Sequence, residues 1–441
     1  MTAHSERARQ WVHIGSGAFA TLLRFLTWPE AAIAAIAALA FNALLLPRLG
    51  GRRLYRDVDR HRGFPVGILL YPASVLLLIL VFRSRLDMVA AAWGILAFGD
   101  GFATLVGGGA PLPWNRQKSV RGTVAFVVFG AAAGIALAWW TRSAVDPAPP
   151  MVFTIAAPLA AAVAAAFVES LPVGLDDNIS VPCAAGAMLW LASVMSADAL
   201  RASADTIVAR LPWAVGVNVV VAALGYRART VSISGTIVGA LIGIAIWIGG
   251  GGAAWALLFA SFFVATAASR VGLDQKADLG IEEERGGRRG AGNAIANCAV
   301  AVGAAIAAVT TPYLGASLFA LTAALTAGGS DTVASEIGKA WGRSTFLVTT
   351  LRRVPAGTPG AMSLEGTAAG IVAAAALAAV AAMLQLVPPN AIPLIVVGAT
   401  AGALVESVLG ATLEGPGILN NDMLNFINTA VAAAVSLALA A

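Results

Sequence analysis

Hydrophobic residues in this chain run in long blocks, broken by short clusters of charged residues, Pro and Gly, with no strand-like alternation. The blocks approach the ~20 residues that an α-helix needs to cross a bilayer. In the first half they fall near 29–47, 66–82, 88–107, 122–140, 151–169 and 180–197. In the second they fall near 209–226, 235–250, 254–269, 291–310, 315–328, 365–386, 392–409 and 422–440. The pattern predicts an all-α, polytopic membrane protein of about fourteen transmembrane helices in two related helical bundles, residues 29–200 and 205–441. Residues 1–28 are expected to form an N-terminal interfacial segment, to which Trp11 and Arg24 are suited.

Composition narrows the class further. Of the 441 residues 59% are hydrophobic and 12% charged, and the mean hydropathy is +0.83. A soluble domain carries about twice that charged fraction. The N-terminus is expected to lack a cleaved signal peptide, having no short apolar core followed by a small-residue cleavage site. Cys183 and Cys298 sit singly in apolar segments, so neither a disulfide framework nor a thiolate metal site is suggested. His4, His13 and His61 all precede the polar motifs, so neither a His-ligated metal nor a His general base is expected there.

The net charge of +5 and pI near 9.7 do not indicate nucleic acid. With alternating spans, loops 48–63, 108–121, 170–178, 227–234, 270–290, 329–364 and 410–421 share one side and hold 20 of the 28 Lys and Arg. Positive charge marks the cytoplasmic side. The polar motifs fall in these same loops or at their edges, so the expected chemistry faces the cytoplasm.

Those motifs occur as two matched sets. Gly99-Asp100-Gly101 with Thr104 is followed by Asn115, Lys118, Ser119 and Gly122-Thr123; Ser330-Asp331-Thr332 with Ser335-Glu336 is followed by Thr350, Arg352, Arg353 and Gly357-Thr358. Each set is answered by a Val-Glu-Ser, at Glu169 and Glu406, and then by Asp176-Asp177-Asn178 or Asn420-Asn421-Asp422. Carboxylates in apolar helices cost about 2.5–3.5 kcal/mol each on insertion scales. Mg²⁺, which takes hard oxygens together with phosphates, would offset that cost. Asp100, Glu169, Asp331 and Glu336 are therefore the candidate metal ligands. Backbone amides before the span at Gly122, with the Lys118 point charge, suit a phosphate.

The loop with Arg285, Arg288 and Arg289 has no first-half counterpart and leads to Asn293 and Asn297, four residues apart on one helical face. Extra positive charge there suits an acceptor that is already phosphorylated. Ser330 or Asp331 is expected to cap a short helix, with Asp331 and Ser335 on one face and Glu336 beside them.

On these residues, positions 30–200 resemble the phytol kinase and dolichol kinase family of CTP-using membrane kinases. The matching pieces are Gly99-Asp100-Gly101, Asn115-Arg116 with Lys118-Ser119, and Glu169-Ser170 with Asp176-Asp177-Asn178. Positions 205–441 are similar to the integral-membrane family that includes plant phytyl-phosphate kinase, through Glu283-Glu284-Arg285-Gly286-Gly287-Arg288-Arg289, Ser330-Asp331-Thr332, Thr349-Thr350-Leu351 and Leu419-Asn420-Asn421-Asp422. The resemblance implies two consecutive kinases that use CTP and Mg²⁺. One would convert an isoprenoid alcohol to its monophosphate and the other would form the diphosphate, in isoprenoid salvage.

The expected catalytic groups are Asp100, Lys118, Glu169, Asp177, Asp331, Glu336 and Asp422. Nucleotide and phosphate contacts are expected from Thr104, Asn115, Ser119, Thr123 and Asn178 in the first half. In the second they are expected from Arg285, Arg288, Arg289, Asn293, Asn297, Thr332, Ser335, Thr350, Arg352, Arg353, Thr358 and Asn421. Alternatives are a membrane transporter of a polar or phosphorylated solute, and a CDP-alcohol or cytidylyl transferase.

Overall fold

The computed structural model describes residues 3–49, 66–171, 176–272, 276, 290–416 and 419–441. The chain forms two compact units, Met1–Val194 and Met195–Ala441. The first contains α1 (Ala3–Ser16), α2 (Trp28–Ala40), α3 (Val66–Val81), α4 (Leu86–Gly94), α5 (Gly101–Val106), α6 (Val120–Thr141), α7 (Met151–Ser170) and α8 (Asp177–Val194). The second contains α9 (Ala197–Arg227), α10 (Ile233–Arg270), α11 (Ala291–Thr310), α12 (Leu314–Trp341), β1 (Thr345–Leu347), β2 (Ala361–Ser363), α13 (Leu364–Met383), α14 (Ile392–Leu409) and α15 (Asn421–Ala440).

Among the described residues, ten helices are long and apolar enough to cross a membrane. The protein is an all-α polytopic membrane protein. The expected count of fourteen is not reached by that criterion. Helix α3 is short, while α8 and α12 carry polar side chains among their apolar ones.

Small residues set the packing distance in the first unit. Ala157, Ala161, Ala162, Ala165 and Ala166 of α7 are all buried, which lets neighbouring helices approach closely. Helix α4 is enclosed on nearly every side, from Met88 to Ala92. It runs on through a π-helical turn, Ile95–Asp100, into α5. Such a turn inserts an extra residue into the helical ladder and shifts the face on which the following side chains emerge. Here it delivers Asp100 to the polar end of the unit.

In the second unit α10 contains a break at Gly251, whose φ of 73° and ψ of −172° only glycine adopts readily. Gly235 and Ala265 line a single cavity of about 410 Å³. On a straight helix they would lie roughly 45 Å apart. The chain therefore doubles back at Gly251, as the hydropathy break predicts. Arg210 Nη1 donates to the Ile248 and Gly249 carbonyls, at 2.8 and 3.1 Å, and so satisfies groups that the break releases.

Helix α12 corrects the expectation of a short helix capped at Ser330 or Asp331. It runs unbroken from Leu314 to Trp341, and Ser330 Oγ donates back to the Ala327 carbonyl at 3.2 Å. Gly328 and Gly329 are tolerated in its interior because Asn297 packs on the first, and Leu377 and Ser261 on the second. Strands β1 and β2 form a small antiparallel hairpin, Thr345 opposite Ser363.

Helices α14 and α15 meet through Gly402, where a Cβ would fall on the Asn428 side chain and backbone. A Cβ at Gly303 of α11 meets nothing within 4 Å. Overpacking costs about 1–3 kcal/mol. Gly402→Leu is expected to lower the thermal midpoint of the solubilised protein by roughly 2–4 °C per kcal/mol lost, and Gly303→Leu to leave it unchanged. Equal midpoints in a thermal-shift assay would remove the close approach at Gly402.

Candidate functional site

The first unit holds a polar cavity of about 680 Å³ at the ends of α5, α7 and α8. Asp100, Glu169 and Asp177 each place a carboxylate oxygen in it, all within 4.8 Å of one another. Lys118 bridges two of them, pairing with Glu169 and reaching Asp177 Oδ2 at 3.0 Å. Burial alone would pull the Lys118 ammonium down, but Asp177 and Glu169 outweigh it and hold it above the ordinary lysine value. The Asp177 carboxyl is pushed up by burial and by the charge of Asp100, against the pull of Lys118.

The loop that presents Lys118 is folded tightly on itself. Leu112 N donates to Lys118 O at 2.9 Å, and Val120 N to Ala110 O at 3.3 Å. Asn115 pins this loop to the end of α7, its Nδ2 donating to the Ser170 and Leu171 carbonyls at 3.2 and 3.3 Å. Asn115 is thus a loop anchor and does not line the cavity, contrary to its expected nucleotide contact. Ser119 caps α6 and accepts from both Gly122 N and Gly108 N at 3.1 Å. Gly108 and Gly109 adopt φ of 121° and 83°, leaving bare backbone along the wall. Thr104, Ser119, Thr123 and Asn178 line the same space.

Residues that the sequence reading set aside also enter this cavity. His13 was discounted because it precedes the motifs, yet its Nε2 lies 3.5 Å from Asp100 Oδ2 and 3.2 Å from the Leu96 carbonyl. Position along the chain does not limit proximity in the fold. Helix α1 packs Ile14 against Gly101 and brings Arg9, Gln10 and His13 to the wall. Arg116 lies there too. Asn178 is buried, its Nδ2 donates to Asp176 Oδ1 at 2.7 Å, and its Oδ1 has no hydrogen-bond partner among the described residues. Three carboxylates and an unsatisfied amide oxygen fit the hard-oxygen set that Mg²⁺ takes.

In the second unit the expected cluster separates. Glu336, 2% exposed, has both oxygens engaged, with Lys276 Nζ at 2.6 Å and Lys339 Nζ at 2.9 Å. Lys276, 1% exposed, also donates to the Ser269 carbonyl at 2.8 Å. Glu336 therefore anchors lysines, which conflicts with its expected place as a metal ligand. Ser335 is exposed, and Thr332 Oγ1 returns to the Gly328 carbonyl at 3.0 Å.

Asp331 instead meets Glu406 of α14, and Glu406 lies beside Asn428 of α15. Asn428 is 1% exposed, and neither its amide atoms nor Glu406 Oε2 has a geometric hydrogen-bond partner among the described residues. Asp422 lies against Gly292, at the start of α11. Asn421 opens α15, next to Asn420, whose side chain caps that helix by accepting from Met423 N at 3.0 Å. Asn297 Nδ2 donates to the Asn293 carbonyl at 2.9 Å, and both residues line the 410 Å³ cavity.

Thr350, Arg352, Arg353 and Thr358 belong to the hairpin loop, where Arg353 lies over the Phe346 ring at 5.6 Å. Arg285, Arg288 and Arg289 lie outside the described residues. Lys276 and Asn428 were missed in the sequence. A lone lysine at the edge of an apolar span was the available signal for Lys276, because burial requires it to have a partner.

Comparison with known proteins places this geometry in a lineage. Residues 216–433 match the family described as integral membrane protein DUF92. The chain is 39% identical over 216 residues to Protein VTE6, chloroplastic, of Arabidopsis thaliana, covering 47% of this chain and 64% of that protein. It is 38% identical over 204 residues to an uncharacterized membrane protein, sll0875, of Synechocystis, covering 46% of this chain and 79% of the relative. It is 30% identical over 191 residues to probable phytol kinase 3, chloroplastic, of Glycine max, covering 40% of this chain and 59% of that protein. No solved structure matches. With most of the Synechocystis relative covered and the family pattern running through the second unit, this chain belongs to the DUF92 family of integral membrane proteins.

Proposed function

We propose that the protein is a bifunctional membrane kinase of isoprenoid alcohols. The first unit would form a monophosphate and the second a diphosphate, with CTP as donor and Mg²⁺ as cofactor, both sites facing the cytoplasm. The observation that carries this reading is the glycine-walled cavity in which Asp100, Glu169 and Asp177 converge, the last two paired with Lys118. Relatives named as phytol kinases support the acceptor class.

Phosphoryl transfer asks chiefly for positioning and charge neutralisation. Asp100 and Glu169 would hold Mg²⁺, whose chemistry is to neutralise phosphate charge. Lys118 and Arg116 supply further positive charge to the phosphates, and the bare backbone at Gly108 and Gly109 admits them closely. The acceptor hydroxyl attacks the terminal phosphorus, the bond to the bridging oxygen breaks, and CDP leaves. The hydroxyl proton passes to Asp177, whose raised affinity for protons brings it nearer the working pH of a general base.

In the second unit Asp331 and Glu406, with the Asn428 amide, provide the oxygens for a cation, in place of Glu336. A phosphate acceptor is already an anion, so that step needs no base. A transporter is the second reading, favoured by the buried, unsatisfied Oε2 of Glu406 and amide of Asn428 and by the broken helix α10.

Incubating the purified full-length protein with CTP, Mg²⁺ and a panel of prenols, with mass analysis of products, tests the scheme. Asp100→Asn is expected to slow monophosphate formation by roughly 10²-fold or more while sparing conversion of supplied monophosphate. Asp331→Asn is expected to stall at monophosphate. Equal loss of both steps in both variants would overturn the two-site division, and solute uptake into vesicles without phosphorylation would favour the transporter.

Lys118→Met leaves the buried Glu169 and the half-buried Asp177 without their counter-charge, which destabilises the fold. Its thermal midpoint is expected to fall, and to recover in part in Lys118→Met/Glu169→Gln, with activity lost in both. A double variant no more stable than the single one would remove the coupling.

A further inference from the structure

The geometry points to the 410 Å³ cavity of the second unit as the seat of the acceptor's hydrocarbon chain and the gauge of its length. This inference rests on the reading of the acceptor as an isoprenoid.

The cavity runs between α9, both arms of α10 and the first turns of α11. Its two ends differ in chemistry. At one end lie Gly290, Asn293 and Asn297, beside the stretch of α11 where Asp422 abuts Gly292. At the other lie Ile242 and Trp255, whose indole N–H is already given to Asn218 Oδ1 at 2.9 Å. Asn218 Nδ2 is given to the Ala214 carbonyl at 2.8 Å, so the deep end offers a ligand little hydrogen bonding. Phe259 stacks on Trp255, with centroids 5.5 Å apart, and stiffens that wall.

Six residues of α10 from Trp255 to Ala265 line the length; those two, ten positions apart on a helix, are separated by roughly 15 Å. The volume lies toward the lower end of the ~300–1,000 Å³ that encloses a small organic ligand. A narrow apolar channel with amides at one end fits a single hydrocarbon chain carrying an anionic head.

Two residues make the inference testable. Gly239 lines the cavity midway along the first arm of α10, and a Cβ there meets nothing within 4 Å. A larger side chain at 239 projects into free space and shortens the channel without disturbing packing. Cys298 lines the same cavity, while Cys183 belongs to α8 of the other unit.

In a Cys183→Ser background the full-length protein is treated with a maleimide, with and without farnesyl, geranylgeranyl or phytyl monophosphate. Bound monophosphate is expected to slow modification of Cys298 at least tenfold, and inorganic phosphate to leave it unchanged. Gly239→Phe is expected to reduce protection by the long chains at least tenfold relative to geranyl monophosphate, with an unchanged thermal midpoint. Should the variant fail to fold, protection in the Cys183→Ser protein alone decides the matter.

Protection without any phosphorylation upholds the cavity assignment and overturns the kinase reading. Phosphorylation without protection, or protection by inorganic phosphate alone, overturns the cavity assignment.

Discussion

A carboxylate set among apolar helices loses hydration worth several kcal/mol and must recover it from a nearby opposite charge. Lys118 in the first unit and Lys276 with Lys339 in the second meet that requirement, and much of the polar architecture follows from where they stand. Lys118 ties the loop before α6 to the ends of α7 and α8, through Glu169 and Asp177. Lys276 joins α10 to α12, through the Ser269 carbonyl and Glu336. In the first unit the clasp lies open to a cavity and to a third acid, Asp100. In the second it is sealed, and the uncompensated acids are elsewhere.

That difference separates two uses of the same residue types. A lysine whose partners face a cavity stands where it can meet an anion, and the glycine wall beside it leaves space for one. A lysine that is 1% exposed and bonded on two sides serves the packing of the bundle. Among the described residues, the buried unsatisfied atoms of the second unit include Glu406 Oε2 and both amide atoms of Asn428, beside Asp331.

The helical class was legible because hydropathy reports length directly, and the draft spans fall on observed helices from Trp28 to Ala440. The first acidic set was also legible: Asp100, Lys118, Glu169 and Asp177 do converge. What escaped the sequence depends on rotation and on distant elements. The 3.6-residue period carries Asp331 to α14 and Glu336 to Lys276, so neighbours in the motif part company in space. His13 and Arg9 reach the first cavity only because α1 packs on α5, which no local pattern announces. Asn428 looked like ordinary span material until α14 and α15 closed on it through Gly402.

The reversal of α10 has a directional consequence. Gly249 is pressed against Ala305 of α11, whereas Asp422 rests on Gly292 of that same helix. Thirteen residues of α-helix separate those two points by roughly 20 Å. One extremity of this region is thus a tight bend with its carbonyls stoppered by a guanidinium, and the other collects the amides and the acid. The polar groups of this region are thus gathered at one end of α11, and the bend at Gly251 closes the other with its carbonyls already bonded.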